Sequence, residues 1–161
     1  IFGLPPQELG LYIGGPALGY FVGNYLSGRY SVRVGIDTMV YLGLIITVFG
    51  MSCSLLISFF GYGSAISFFG LMSFAGVGNG LTMPNATAGM MSVRPHLAGT
   101  ASGLGGSIMI AGGAALSAAA TTIIGPNSTE TPLVFLMWLS VTAGLLGILY
   151  VRRRNKMITK A

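Results

Sequence analysis

Phe60-Gly61-Tyr62-Gly63-Ser64 interrupts the run from Thr38 to Val93, in which no residue carries a charge, and its reading decides how often the chain crosses a bilayer. A hydrocarbon core of about 30 Å takes about 20 apolar residues wound as a helix, so this run is too long for one span. The glycines and serine of the cluster are turn formers. They divide the run into two predicted spans, 38–59 and 64–91. Working outward, charged residues bracket three more uncharged stretches. Leu9 to Gly28 predicts a span at 9–28. Leu97 to Thr129 predicts another at 98–123, ended by the breaker cluster Gly125-Pro126-Asn127-Ser128, and Thr131 to Val151 predicts the fifth at 132–151.

Composition supports lipid as the surrounding solvent. Of the 161 residues 53% are hydrophobic and 7% charged, against about 25% charged in an ordinary soluble domain. A chain wrapped in acyl tails needs apolar side chains facing outward as well as inward. The 26 glycines show no three-residue period, which excludes collagen, and the aliphatic content excludes disorder. Cys53 is the single cysteine, so neither an internal disulfide nor a cysteine-cluster metal site is expected, and no cofactor or metal is predicted. The chain begins Ile1-Phe2-Gly3, without initiator methionine or signal-peptide pattern, and reads as part of something longer.

Orientation is tested independently by the basic residues, which favour cytoplasmic loops. Arg29 and Arg33, then Arg94, then Arg152, Arg153, Arg154, Lys156 and Lys160 fall at alternate span ends, while Glu8 and Glu130 fall at the opposite ends. Five crossings place all eight basic residues on one side. The N-terminal end is then outside and the C-terminus cytoplasmic. The net charge of +5 is thereby read as a membrane anchor that snorkels to anionic headgroups, with membrane lipid and not nucleic acid as the partner.

Membrane helices associate through close backbone approach, which favours small residues spaced four apart. Gly15, Gly19, Gly23 and Ser27 make such a stripe in the first span. Gly76 and Gly80 do so in the third, and Gly99, Gly103, Ser107, Ala111, Ala115 and Ala119 in the fourth. These three spans are expected to pack most tightly. The second and fifth, richer in large apolar residues and including Trp138, are expected to face lipid. Within the third span Asn79 and Asn85 flank Pro84, which lacks a backbone N–H and is expected to weaken or kink the helix there. Asn24 is a comparable polar residue in the first span. Each asparagine is open to two readings, lining a cavity or gluing helices together by hydrogen bonds.

Particular residues resemble the major facilitator superfamily, specifically drug and proton antiporters of the Bcr/CflA type. Pro6-Gln7-Glu8-Leu9-Gly10-Leu11-Tyr12 is similar to the family's approach to its eighth helix, and Gly28-Arg29-Tyr30-Ser31-Val32-Arg33-Val34-Gly35 to the cytoplasmic turn that follows. The most specific likeness is Met83-Pro84-Asn85-Ala86 followed by Pro95-His96-Leu97-Ala98-Gly99-Thr100-Ala101-Ser102, which resembles the junction of the tenth and eleventh helices. The family's cytoplasmic signature carries an acidic residue ahead of its arginine, where this chain has Ser27 and Gly28. Asp37 is then left to cap the second span or to pair with Arg33.

The resemblance implies an all-α, polytopic membrane bundle, its five transmembrane helices forming most of the C-terminal half of a twelve-helix major facilitator fold, with the N-terminal half as the missing partner. It implies export of small drug-like molecules across the inner membrane of a bacterium, coupled to protons and working by alternating access, with the first, third and fourth spans bordering the cavity. Asn24, Asn79, Met83, Asn85, Ser102 and Met109 are the expected cavity residues, Pro84 the kink, and Arg29, Arg33 and Gly35 the cytoplasmic-loop motif. Any proton-carrying carboxylate is expected in the missing part, since no Asp, Glu or His lies mid-span. An intramembrane protease is disfavoured because His96, the single histidine, sits at a helix end beside Pro95, away from a nucleophile such as Ser102. A non-transporting structural subunit or a channel is the alternative reading.

Overall fold

The computed structural model describes residues 5–124 and 129–158, without the side chains of Lys156 and Ile158. The breaker cluster 125–128, Lys160 and the start Ile1-Phe2-Gly3 lie outside the described residues. Five long helices follow one another: α1 (Pro6–Val34), α2 (Ile36–Phe59), α3 (Ala65–Val93), α4 (Ala98–Ile123) and α5 (Thr131–Ile158). A 3₁₀ turn, Pro95–Leu97, leads into α4. No strand occurs among the described residues. Each predicted span falls on one helix, save that Ser64, the first residue of 64–91, is the N-cap of α3.

Local chemistry accounts for the helix ends. Pro6 opens α1, where a missing N–H costs nothing. Gly35 alone joins α1 to α2, at φ 89° and ψ 144°, a conformation open to glycine and closed to residues with a Cβ. After α2 the backbone turns through Gly61 at φ 78°. Ser64 then caps α3 reciprocally: the Ser67 N–H donates to Ser64 Oγ at 3.2 Å, and the Ser64 N–H to Ser67 Oγ at 2.9 Å. Arg94, extended because Pro95 follows it, ends α3.

Four stretches are long and apolar enough to cross a membrane: Ile36–Phe59, Ala65–Val93, Pro95–Ile123 and Thr131–Asn155. The chain is therefore an integral membrane protein. Helix α1 has the length but is diluted by glycine, tyrosine and Asn24.

α1 and α3 pack against each other backbone to backbone, and they run parallel. A Cβ at Gly19 would meet the backbone of Ser73, and one at Gly23 the Val77 carbonyl, so successive positions of α1 meet successive positions of α3. A Cβ at Gly76 would meet the Pro16 carbonyl. At Gly80 it would lie 2.5 Å from the Tyr20 carbonyl oxygen, 2.7 Å from Asn24 N and 2.8 Å from the Gly23 Cα. Gly15 sits farther along the same seam, where a Cβ would lie 2.8 Å from Ser73 Oγ.

The expectation for α2 is corrected. Its buried residues, Met39, Gly43, Thr47, Gly50, Met51, Ser54 and Ser58, form one stripe at helical spacing, and it packs antiparallel on α3. A Cβ at Gly43 would lie 2.5 Å from the Gly78 carbonyl oxygen, and one at Gly50 would lie 2.5 Å from Phe74 Cβ. Small residues diluted by Met, Thr and Ser let two backbones approach as well as an all-glycine stripe does.

Helix α5 does not simply face lipid either. It lies antiparallel to α2 and is held by polar contacts at three levels. Near one end Ser58 Oγ donates to Glu130 Oε1 at 2.9 Å and lies 2.6 Å from Thr131 Oγ1. In the middle Trp138 Nε1 donates to Ser52 Oγ at 2.9 Å. At the other end Asn155 Nδ2 donates to Asp37 Oδ2 at 2.9 Å, and the Arg152 guanidinium stands 4.3 Å from the Tyr41 ring centroid.

Helix α4 is the converse correction. No residue of it is buried, and Gly99 and Gly103 meet nothing within 4 Å. It touches α3 where Gly105 approaches Met90. A small-residue face permits close packing but does not supply the partner, and among the described residues none occupies this face. Since neighbours in sequence alternate in direction, Arg29, Arg33, Arg94 and Arg152–Arg154 gather at one end of the bundle and Glu130 at the other.

Candidate functional site

Between α2, α3, α4 and α5 lies a cleft of about 1040 Å³, large enough for a drug-sized molecule. α3 contributes Asn79 and Met83, α4 contributes Met109 and Ser117, α2 contributes Thr47 and Met51, and α5 contributes Met137 and Ser140. None of its lining residues is ionisable. The cleft brings together three of the six expected cavity residues, Asn79, Met83 and Met109.

The other three lie elsewhere. Asn85 is 3% exposed, and its Nδ2 donates to Ser27 Oγ at 2.8 Å and to the Leu81 carbonyl at 2.7 Å. It fastens α3 to α1. Asn24 Nδ2 donates to the Tyr20 carbonyl one turn back, at 2.9 Å, and its backbone borders the contact with Gly80. Ser102 is exposed on α4 and does not line the cleft. Helix α1 contributes nothing to the cleft, whereas α2 and α5, expected to stand outside, form two of its walls. Pro84 lies inside α3, which continues as helix to Val93, and Asn85 beside it makes the bond to Leu81.

Thr47, Met51, Met137 and Ser140 escaped the sequence reading. For Thr47 and Met51 a signal existed in the four-spaced series Gly43, Thr47, Met51. For the α5 residues none did, because their position follows from contacts with distant Ser52 and Asp37.

At the basic end a second cleft, about 670 Å³, lies between the start of α2 and the ends of α3 and α5, with Asp37, Asn85 and Asn155 on its walls. Asp37 accepts from Asn155 here, and the start of α2 has no side-chain cap hydrogen bond, so neither role expected for Asp37 describes its contact. Arg29 Nη1 donates to Tyr25 Oη at 3.2 Å, and its guanidinium lies 6.0 Å from the Tyr30 ring centroid. Arg33 occupies the last turn of α1, where a cation complements the helix dipole. Glu130, placed by the sequence at a span end, is 9% exposed, a carboxylate wedged between Ser58 and the backbone of Gly63.

An uncharged cleft walled by four helices can hold an apolar molecule and offer it a few polar contacts. The residues seen there supply neither a nucleophile–base pair nor a metal ligand set, and no cluster of His, Cys, Asp and Glu suited to a metal ion occurs among the described residues.

Residues 1–160 match the family described as the Major Facilitator Superfamily. The chain is also 26% identical over 155 residues to the Bicyclomycin resistance protein homolog of Haemophilus influenzae, an alignment covering 96% of this chain and 38% of that protein. The chain thus spans well under half the length of the curated relative it matches. No solved structure matches it.

Proposed function

The chain belongs to the major facilitator superfamily, and from that premise we propose that it is part of a secondary active transporter exporting small drug-like compounds across the bacterial inner membrane. The observation that carries the reading is the match of residues 1–160 to the superfamily, on a bundle whose helices are long and apolar enough to cross a membrane. The similarity to a bicyclomycin resistance protein homolog supports a drug as cargo. All five helices cross the bilayer in this reading, α1 included, as the last five of twelve. The end holding Glu130 is outside, and the end holding Arg29, Arg94 and Arg152 is cytoplasmic, as the placement of basic residues favours.

Transport proceeds by alternating access, with rigid bundles rocking about a site near the midplane. The backbone seams of α1 and α2 with α3 and the polar staples of α2 with α5 make these four helices one body suited to such rocking. Asn24 and Asn85 serve the packing of α1 on α3, and Ser102 lies aside on α4. Protons drive the exchange. The carboxylates of this chain, Glu8, Asp37 and Glu130, all stand at helix ends, so the group that carries the proton at mid-depth lies outside these helices.

The test is efflux from bacteria stripped of their own exporters and expressing the gene that encodes this chain. Dye or drug accumulation is expected to fall, and to recover when a protonophore collapses the gradient. Unchanged accumulation, with the protein present in the membrane, overturns the transporter reading; efflux indifferent to the protonophore overturns proton coupling alone.

A further inference from the structure

The two clefts follow one another along a single groove. On α5 the large cleft's Met137, Ser140 and Gly144 are continued, at steps of three or four residues, by Ile148, Val151 and Asn155 of the cleft at the basic end. That spacing keeps them on one face of the helix. On α3 Asn79 and Met83 lead in the same way to Ala86 and Met90, and on α2 Leu44 leads to Val40. From Leu133 to Asn155 the groove follows α5 for about 33 Å, the rise of a helix over that many residues. A whole bilayer core is about 30 Å deep.

Such a length narrows what fills it. A lipid chain reaches from the headgroup to the midplane, about half of the core, and brings hydrocarbon alone. Asn79 stands roughly midway along α3 and makes no side-chain hydrogen bond to another described residue. Ser117, on the α4 wall, makes none either. Gly105 of α4 approaches Met90 of α3, and equal steps from there along the two antiparallel helices bring Leu116 and Ser117 level with Asn79. An amide and a hydroxyl left bare against lipid chains at that depth are costly. A helix spans the core and can place a polar side chain beside them.

Connectivity says which helix. α1 starts at the end of the bundle that holds Glu130 and lines neither cleft. A span leading into α1 therefore rises from the basic end and finishes beside the groove's outer mouth. The Haemophilus relative has length for such spans, since the alignment covers 38% of it.

We infer that the groove seats a membrane-spanning helix of the same polypeptide, the one that leads into α1, and that Asn79 holds it at mid-depth by a hydrogen bond to a polar side chain on that helix. The seated helix runs parallel to α4 and antiparallel to α3 and α5. Met83, Met109 and Met137 pack around it. The inference rests on the topology proposed above, in which spans precede α1, and not on the cargo.

The experiment uses the full-length protein in native membranes, with its cysteines replaced, Cys53→Ala among them, and a protease site in the external loop ahead of α1. Single cysteines are placed one at a time along the span leading into α1, each paired with Ser140→Cys on α5 or Leu116→Cys on α4. After oxidation and proteolysis, crosslinked pieces stay joined on a denaturing gel. Joining is expected at positions three or four apart, on one face for Ser140→Cys and on a neighbouring face for Leu116→Cys. Joining at no position, or only between two copies of the protein, overturns the seat. Efflux measured on the same proteins keeps that failure apart from failure of the transporter reading. Labelling of Ser140→Cys alone by N-ethylmaleimide then reads how often the helix lifts. Asn79→Leu is expected to speed labelling about threefold, the worth of one interhelical hydrogen bond in a membrane, with the crosslink pattern kept. Unchanged labelling overturns the hydrogen bond and leaves the seat. Because the crosslinks are read with Asn79 intact, poor folding of the variant does not blunt the first test.

Discussion

Replacing Gly80 by alanine adds one carbon where the backbones of α1 and α3 meet. The new Cβ would lie 2.5, 2.7 and 2.8 Å from the Tyr20 carbonyl oxygen, Asn24 N and Gly23 Cα. All three are backbone atoms, so no rotamer change can make room and the helices must part. Overpacking of this kind costs about 1–3 kcal/mol. Alanine also favours helix over glycine by about 0.5–1 kcal/mol, which partly offsets the clash. Gly70 supplies the control: it lies in the same helix, and a Cβ there meets nothing within 4 Å. Since the helix preference is common to both substitutions, the difference between Gly80→Ala and Gly70→Ala isolates the packing cost, about 1–3 kcal/mol, or about 5- to 150-fold in the folded-to-unfolded ratio. SDS titration of the micelle-embedded chain, followed by far-UV circular dichroism, measures both midpoints. Gly80→Ala proving as stable as Gly70→Ala would refute the claim that backbone contact holds α1 on α3.

Two further outcomes probe the α2–α5 staples. Trp138 is the single tryptophan, so Ser52→Ala, which strands its indole N–H, is expected to shift the protein's fluorescence to shorter wavelength and to cost about 0.5–1.5 kcal/mol; unaltered emission counts against that bond. Gly63→Ala puts a Cβ where the Glu130 carboxylate sits and is expected to break its bond with Ser58, at about 1.5–3 kcal/mol for a charged acceptor. In a Glu130→Ala background the same change should cost almost nothing, and additivity in the double-mutant cycle would show that the two positions do not meet.

Helix number and placement were legible because lipid imposes a crude requirement, a long uncharged run closed by charge or by turn residues, and Gly61 and Ser64 supply such a closure. Partner choice was less so. The stripe of α4 is purer in small residues than that of α2, yet α2 is the packed helix, since a stripe states which face admits a neighbour and says nothing of which neighbour arrives. α5 carries only two short pairs of small residues, Ser140 with Gly144 and Ala143 with Gly147; Glu130, Thr131, Trp138, Arg152 and Asn155 fasten it to residues of α2 far away in sequence, with no period to detect. Asn79 and Asn85 illustrate the same limit within one helix. They share residue type and flank the same proline, but only the face carrying Asn85 turns towards Ser27 of α1.

Gly35 bears on how any such bundle moves. Successive Cα atoms are about 3.8 Å apart, so a joint of one residue has no slack to take up, and the end of α1 cannot swing without dragging the start of α2. There Asp37 and Tyr41 already grip Asn155 and Arg152. A push on the last turn of α1 is thus handed through two linked levers to the far end of α5, while α4, gripped by none of these bonds, stands off the linkage.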